Sequence, residues 1–290
     1  MFVKAKQWTA AILAAAAFQA ACAQEMSDKV FFKEFLPEFV QAMRQKLPIR
    51  EPVVNGAQIE IRDVRRQGGF LVMEASLDDY RSALPLGDKY TRQDLNDMFR
   101  AVAIHQNCLE NDVMHEINKH LGLHLSYALP EWRTTVNIVL PKGYCTRLLA
   151  EKTPQQIEAD SARTVLAVVY REINKLLPAP HGNGLEIYRI ELKNDGLHRH
   201  FRLLPTADAA KTPQQWQDIM QQKIRRDTCR AEKGRRELAQ LNRYFPPTDH
   251  LEFPDSRESI TVTLPQNACF DGVIGGGEGN DHYGKAAKQP

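Results

Sequence analysis

The chain has 290 residues, 43% of them apolar and 26% charged, which is enough to bury one large core or two ordinary ones. That composition excludes a collagen-like, a disordered or a polytopic membrane chain. Lys plus Arg number 38 against 36 Asp plus Glu, and a chain so balanced has no global field to hold it on a polyanion, so general nucleic-acid binding is not expected.

Residues 1–23 begin with Lys4 and Lys6, continue through an apolar run from Trp8 to Phe18 and end in Ala21-Cys22-Ala23. This is the pattern of a secretory signal peptide, with cleavage expected near Ala23 and delivery to the periplasm or the medium. The apolar run is too short to span a bilayer and no later stretch is longer, so no transmembrane segment is expected. Cys22 opens an alternative, an outer-membrane lipoprotein anchored through that cysteine. Gln19, three residues before it, stands where such signals usually carry an aliphatic residue.

Without Cys22, the cysteines are Cys108, Cys145, Cys229 and Cys269, an even number in an exported chain and therefore a framework of two disulfides. No Cys-x-x-Cys spacing supports a metal site instead.

Four stretches of the sequence recur. Phe35, Leu36, Phe39, Met43 and Leu47-Pro48 match Val165, Leu166, Val169, Ile173 and Leu177-Pro178 at a constant offset of 130, each set an amphipathic helix ended by proline. Ile59, Ile61 and Val64 match Leu185, Ile187 and Ile190, with strand alternation broken once in each, as a bulge would break it. Both strands run into turns, at Gln67-Gly68-Gly69 and Asn194-Asp195-Gly196, and so read as hairpins. Thr91 and Thr212 each stand 17 residues before a cysteine and read as helix N-caps. The runs Val136 to Pro141 and Ile260 to Pro265 each end four residues before the next cysteine.

The expectation is an α+β chain of two tandem, similar domains, each with an antiparallel sheet of hairpins packed against helices and one internal disulfide. The first repeat covers residues 24–149 and the second 150–269, joined by a short connector over 146–152. Residues 270–290, rich in glycine, read as a disordered tail. Pairing within repeats joins Cys108 to Cys145 and Cys229 to Cys269; a crossed pairing would instead join the two repeats.

Strong catalytic motifs are absent: there is no Gly-x-Ser-x-Gly, no phosphate-binding loop and no His-Glu-x-x-His. Histidine offers most. His115, Glu116 and His120 lie on one predicted helix, Glu116 and His120 one turn apart, a spacing that can hold a metal. His198, His200 and Arg202 fall on one face of a predicted strand, with Leu197, Phe201 and Leu203 on the other and Arg199 as the exception among them. Arg225 and Arg226 belong to a basic stretch running from Lys223 to Arg236 and, with the histidine strand, are candidates for an anionic ligand.

The expected function is a non-catalytic binding or interaction module of the bacterial envelope. Its partner is an envelope protein or an anionic ligand, and it needs no cofactor. The alternative is a metal-dependent or other hydrolase that uses the histidine clusters, marked by a buried polar cluster with strongly shifted pKa values in a cleft between the two copies. Oligomeric state is not legible.

Overall fold

The computed structural model describes residues 26–52, 57–84, 86–182, 184–204, 211–229, 241–253 and 259–269. The predicted signal peptide with Cys22, the basic residues 230–236 and the glycine-rich tail lie outside them. Among the described residues no helix is long and apolar enough to cross a membrane.

The chain is helical from Asp28, widens to a π-helical stretch at Phe31–Phe35 and continues as α1 (Leu36–Gln45). Strands β1 (Ile49–Pro52), β2 (Gln58–Gln67) and β3 (Phe70–Asp78) follow, with the predicted hairpin turn between β2 and β3. Helix α2 (Arg92–His105) starts where Thr91 predicts. The Thr91 hydroxyl accepts from the Asp94 N–H at 3.2 Å while the Asp94 carboxylate accepts from the Thr91 N–H at 2.9 Å, so two of the helix's unpaired donors are met. Then come α3 (Asp112–His120), β4 (Gly122–Leu129) and β5 (Thr134–Leu140). The stretch expected to be a connector is largely helical, α4 (Tyr144–Glu151), and leads into α5 (Pro154–Asn174). The rest of the chain carries β6 (Ala179–Pro180), β7 (Leu185–Lys193), β8 (Gly196–Leu203), α6 (Pro213–Cys229), β9 (Pro247–Glu252) and β10 (Ser259–Thr263). Thr212 caps α6 as predicted, in the same reciprocal way with Gln215.

The architecture is mixed α+β with two five-stranded sheets, in the orders β1-β2-β3-β4-β5 and β10-β9-β8-β7-β6. The expectation of antiparallel sheets is corrected at one pairing in each. β3 runs parallel to β4, and β8 parallel to β9. The reason is the connection: a chain segment that includes a helix lies between the paired strands, and only such a crossover returns the chain to the same end of the sheet. The predicted bulge in β2 is present, where the register with β3 shifts between Ile61 and Asp63.

Packing divides the chain into two compact units, one reaching to Ala179 and including Ile187–Leu192, the other Pro180–Glu186 and the chain from Lys193 onward. In the first, Leu71, Leu123, Ile117 and Leu140 are buried with Phe31 and with Val165, Val168 and Val169 of α5. In the second, Trp216, Met220 and Ile224 of α6 are buried, as are Phe201, Leu251 and Val262 of the sheet.

The disulfides are Cys108–Cys145 and Cys229–Cys269, the pairing expected within repeats. Beside the first, buried Asn118 donates to the Pro141 carbonyl at 3.0 Å and accepts from the Cys145 N–H at 2.9 Å. Beside the second, Asn242 donates to the Pro265 carbonyl at 3.0 Å and accepts from the Cys269 N–H at 3.4 Å.

Candidate functional site

Strand alternation gives the second sheet two faces of different chemistry. On β8, β9 and β10 one face carries Phe201, Leu251 and Val262, which are buried, and α6 packs on β9 and β10. The opposite face is polar throughout, with His198, His200 and Arg202 on β8, Thr248, His250 and Glu252 on β9, and Ser259, Thr261 and Thr263 on β10. His200 stands opposite His250, and His250 opposite Thr261.

These side chains form one hydrogen-bonded line. Asp195, in the hairpin turn before β8, lies 3.0 Å from His198 Nε2; His198 Nδ1 lies 2.9 Å from His250 Nε2; and His250 Nδ1 lies 3.2 Å from the Thr261 hydroxyl. With both imidazoles neutral the donors run in a single direction: Thr261 to His250, His250 to His198, His198 to Asp195. The His198 bond holds the Asp195 carboxyl below the usual carboxylate range. The His200 ring stacks on His250, with centroids 4.7 Å apart. Arg202 is paired with Glu186 of β7 at 2.5 Å.

The sequence-predicted group of five is therefore divided. His198, His200 and Arg202 share a face as expected. Arg225 and Arg226 stand on α6, which packs on β9 and β10 and joins its acidic residue Asp227 to the other side of the sheet, so they do not join the histidines. His250 was not singled out from the sequence, because it belongs to no motif. Only the alternation of Thr248, His250 and Glu252 hints at it, and its partners are 52 and 11 residues away.

The covered face explains the Arg199 exception. Arg199 donates to both carboxylate oxygens of Asp249, at 2.6 and 2.9 Å. Asp249 is fully buried. Burial pushes its carboxyl up, while the Arg199 guanidinium and Lys223 ammonium pull the other way. Lys223 of α6, also buried, bonds Asp227 at 2.6 Å. Burial raises the Asp227 carboxyl, but Lys223, Arg199 and Arg226 outweigh it and hold it low. His181 lies 3.7 Å from Asp227, too far for a hydrogen bond, with its Nε2 buried and unpartnered; burial and the nearby cations favour its neutral form. A buried polar cluster with shifted groups is thus present in the second unit. Its cations are already matched to carboxylates within it.

At the other predicted cluster, His120 stacks on Phe31 at 4.3 Å. Its Nδ1 lies 2.5 Å from Asp28 and its Nε2 3.5 Å from Glu116, whose other oxygen accepts from Lys119 at 2.6 Å. The two carboxylates thus face opposite nitrogens of one ring and do not converge on a point. His115 Nε2 is buried without a partner, and burial lowers that imidazole. Among the described residues no group of three His, Cys, Asp or Glu side chains is placed to hold a metal ion. No known protein family, curated protein or solved structure matches the chain.

Proposed function

We propose that the chain is an exported, disulfide-stabilised two-repeat protein of the bacterial envelope that acts as a non-catalytic binding module, with the polar face of β8, β9 and β10 as its binding surface. The observation that carries the reading is the line Asp195, His198, His250, Thr261 with His200 and Arg202 beside it. His198 and Thr248 on this face are buried, His200 and His250 half-buried, and Arg202, Glu252 and Thr261 exposed, so the outer part of an imidazole-rich polar face is open to a ligand.

Duplication is supported by details that composition alone does not produce. Asn118 and Asn242 make the same two bonds beside the two disulfides, with residues 124 apart. Gly143 and Asn267, also 124 apart, both have positive φ, at 70° and 64°. Arg44 bonds the Val64 carbonyl at 2.9 Å, and Asn174 bonds the Ile190 carbonyl at 2.7 Å. Both strands involved are those read as bulged. In this reading the repeats keep their core and staple while the polar residues on their sheets diverge, as a scaffold does when only one copy carries a site. Export is supported by the two disulfides, which persist in oxidising compartments.

Two measurements test the proposal. Mass spectrometry of the protein from its host envelope is expected to show a chain beginning at Gln24, four hydrogens lighter than its reduced form; lipid on Cys22 would make it an anchored protein instead. Amide hydrogen exchange with and without envelope extract is expected to show protection concentrated in β8 to β10. Protection elsewhere, or none, would remove the binding surface from this face.

A further inference from the structure

We infer that the polar face of the second sheet is an acid-gated site for an acidic glycan, closed while its histidines are neutral and opened as they take up protons. This rests on the reading of β8 to β10 as the binding surface and adds the class of ligand and its control. Histidine is the side chain whose charge changes between about pH 5 and 8, and three of them share this face.

The gate lies between His198 and His250. Their nitrogens are 2.9 Å apart, a distance that holds one proton between them. A first added proton is accommodated without breaking the line: His198 then donates to His250, and His250 turns its own N–H toward the Thr261 oxygen, which becomes an acceptor. A second proton sets two N–H donors against each other across the same 2.9 Å, and the rings must part. Asp195 remains with His198, while His250 is freed to face outward as a cation.

The surrounding charges decide what such a face attracts. Among the described residues, the charged groups on these strands include Asp195 in the turn, Glu186 and Lys193 on β7, Arg202 on β8 and Glu252 on β9, while the polar face of β10 carries only hydroxyls. Arg202 is already matched by Glu186, and Lys193 lies near Asp195. Arg199, on the reverse of the sheet, is matched by Asp249. Each proton taken up by an imidazole adds one positive charge to this face, so its charge moves toward positive as the pH falls, and charge complementarity assigns it an anionic occupant in acid. Every side chain on β8 to β10 at this face is polar, so nothing there inserts into a bilayer. A soluble polyanion fits this better than a lipid surface, and acidic glycans supply anionic groups in series.

The test measures binding of a heparin-derived hexasaccharide to the mature, oxidised protein at about pH 5.5 and about pH 7.5, with circular dichroism confirming a folded chain at each pH. Binding is expected to be at least about tenfold tighter in acid. His250→Gln, which keeps a hydrogen-bonding side chain but loses the proton site, is expected to reduce that ratio to about twofold. His200→Gln leaves the hydrogen-bonded pair in place but removes one cation in acid; it is expected to weaken acid binding about threefold, leave neutral binding unchanged, and lower the ratio by the same threefold. Chemical-shift mapping locates the ligand. Equal binding at both pH values on this face would overturn the gate and leave the binding surface standing. Binding mapped elsewhere, or no binding at either pH, would overturn the glycan site. Unfolding at the acid pH, or attachment to phosphatidylglycerol vesicles without hexasaccharide binding, would overturn the proposal as well.

Discussion

Arg199 of β8 and Asp249 of β9 stand opposite each other in parallel strands and share two hydrogen bonds on the side of the sheet that is otherwise apolar. An apolar pair at these positions would avoid the cost of taking two charges out of water, so the pair is weak evidence for stability. What it does ensure is that neither partner can be removed alone.

Arg199→Ala is accordingly expected to destabilise the second unit by about 3–5 kcal/mol, because it strands a fully buried carboxylate. Replacing both partners, as Arg199→Met with Asp249→Leu, is expected to recover most of that loss. Hydrogen exchange of α6 amides reads opening of this unit separately from the rest. A single-variant cost below about 1 kcal/mol would show that water reaches Asp249.

Asn118 is fully buried and bonds the carbonyls of Leu121 and Pro141 and the Cys145 N–H. Asn118→Ala leaves those groups unsatisfied and is expected to cost about 2–4 kcal/mol in urea unfolding. Asn118→Asp is expected to cost more, since it replaces the donating NH2 by an oxygen turned toward two carbonyl oxygens. If the two variants were equally stable, the donor half of the side chain would carry no weight.

Gly196 opens β8 with φ at 151°, and a Cβ there would lie 2.1 Å from the Pro246 carbonyl oxygen. Because the obstacle is backbone, Gly196→Ala is expected to shift the start of the strand and cost at least about 2 kcal/mol. Gly69, also in a hairpin turn, has nothing within 4 Å of such an atom, so Gly69→Ala is expected to be nearly silent. Thermal melting of the two variants side by side decides the matter.

Burial disfavours the charged forms of His105, His115 and His181. Their folded-state values lie below the ordinary histidine value, so the unfolded chain binds protons more readily. Stability is then full above about pH 6.5 and falls as the pH drops through and below that value. His181→Phe keeps a ring beside Phe201, whose centroid is 5.2 Å away, and is expected to flatten the dependence in that window. Urea midpoints measured from about pH 7.5 to 5 test the sign; a midpoint that rose in acid would contradict it.

How far the sequence reaches can be judged from particular residues. Thr91 and Thr212 mark their helices because a cap bonds only three residues ahead, and the β8 faces follow from a period of two, so local chemistry suffices for both. The pairing of Cys108 with Cys145 and of Cys229 with Cys269 was likewise the expected one, from matched spacings. Tertiary structure alone decided that β3 and β4 run parallel, that Arg199 finds Asp249, that His250 completes the line begun by His198, and that Asp28 meets His120 across 92 residues of chain. It also parted Arg225 and Arg226 from the histidines with which the sequence had grouped them. The physical reason is range: a cap or an alternating strand is specified by neighbours along the chain, whereas these contacts depend on which strands pair and which face a helix covers.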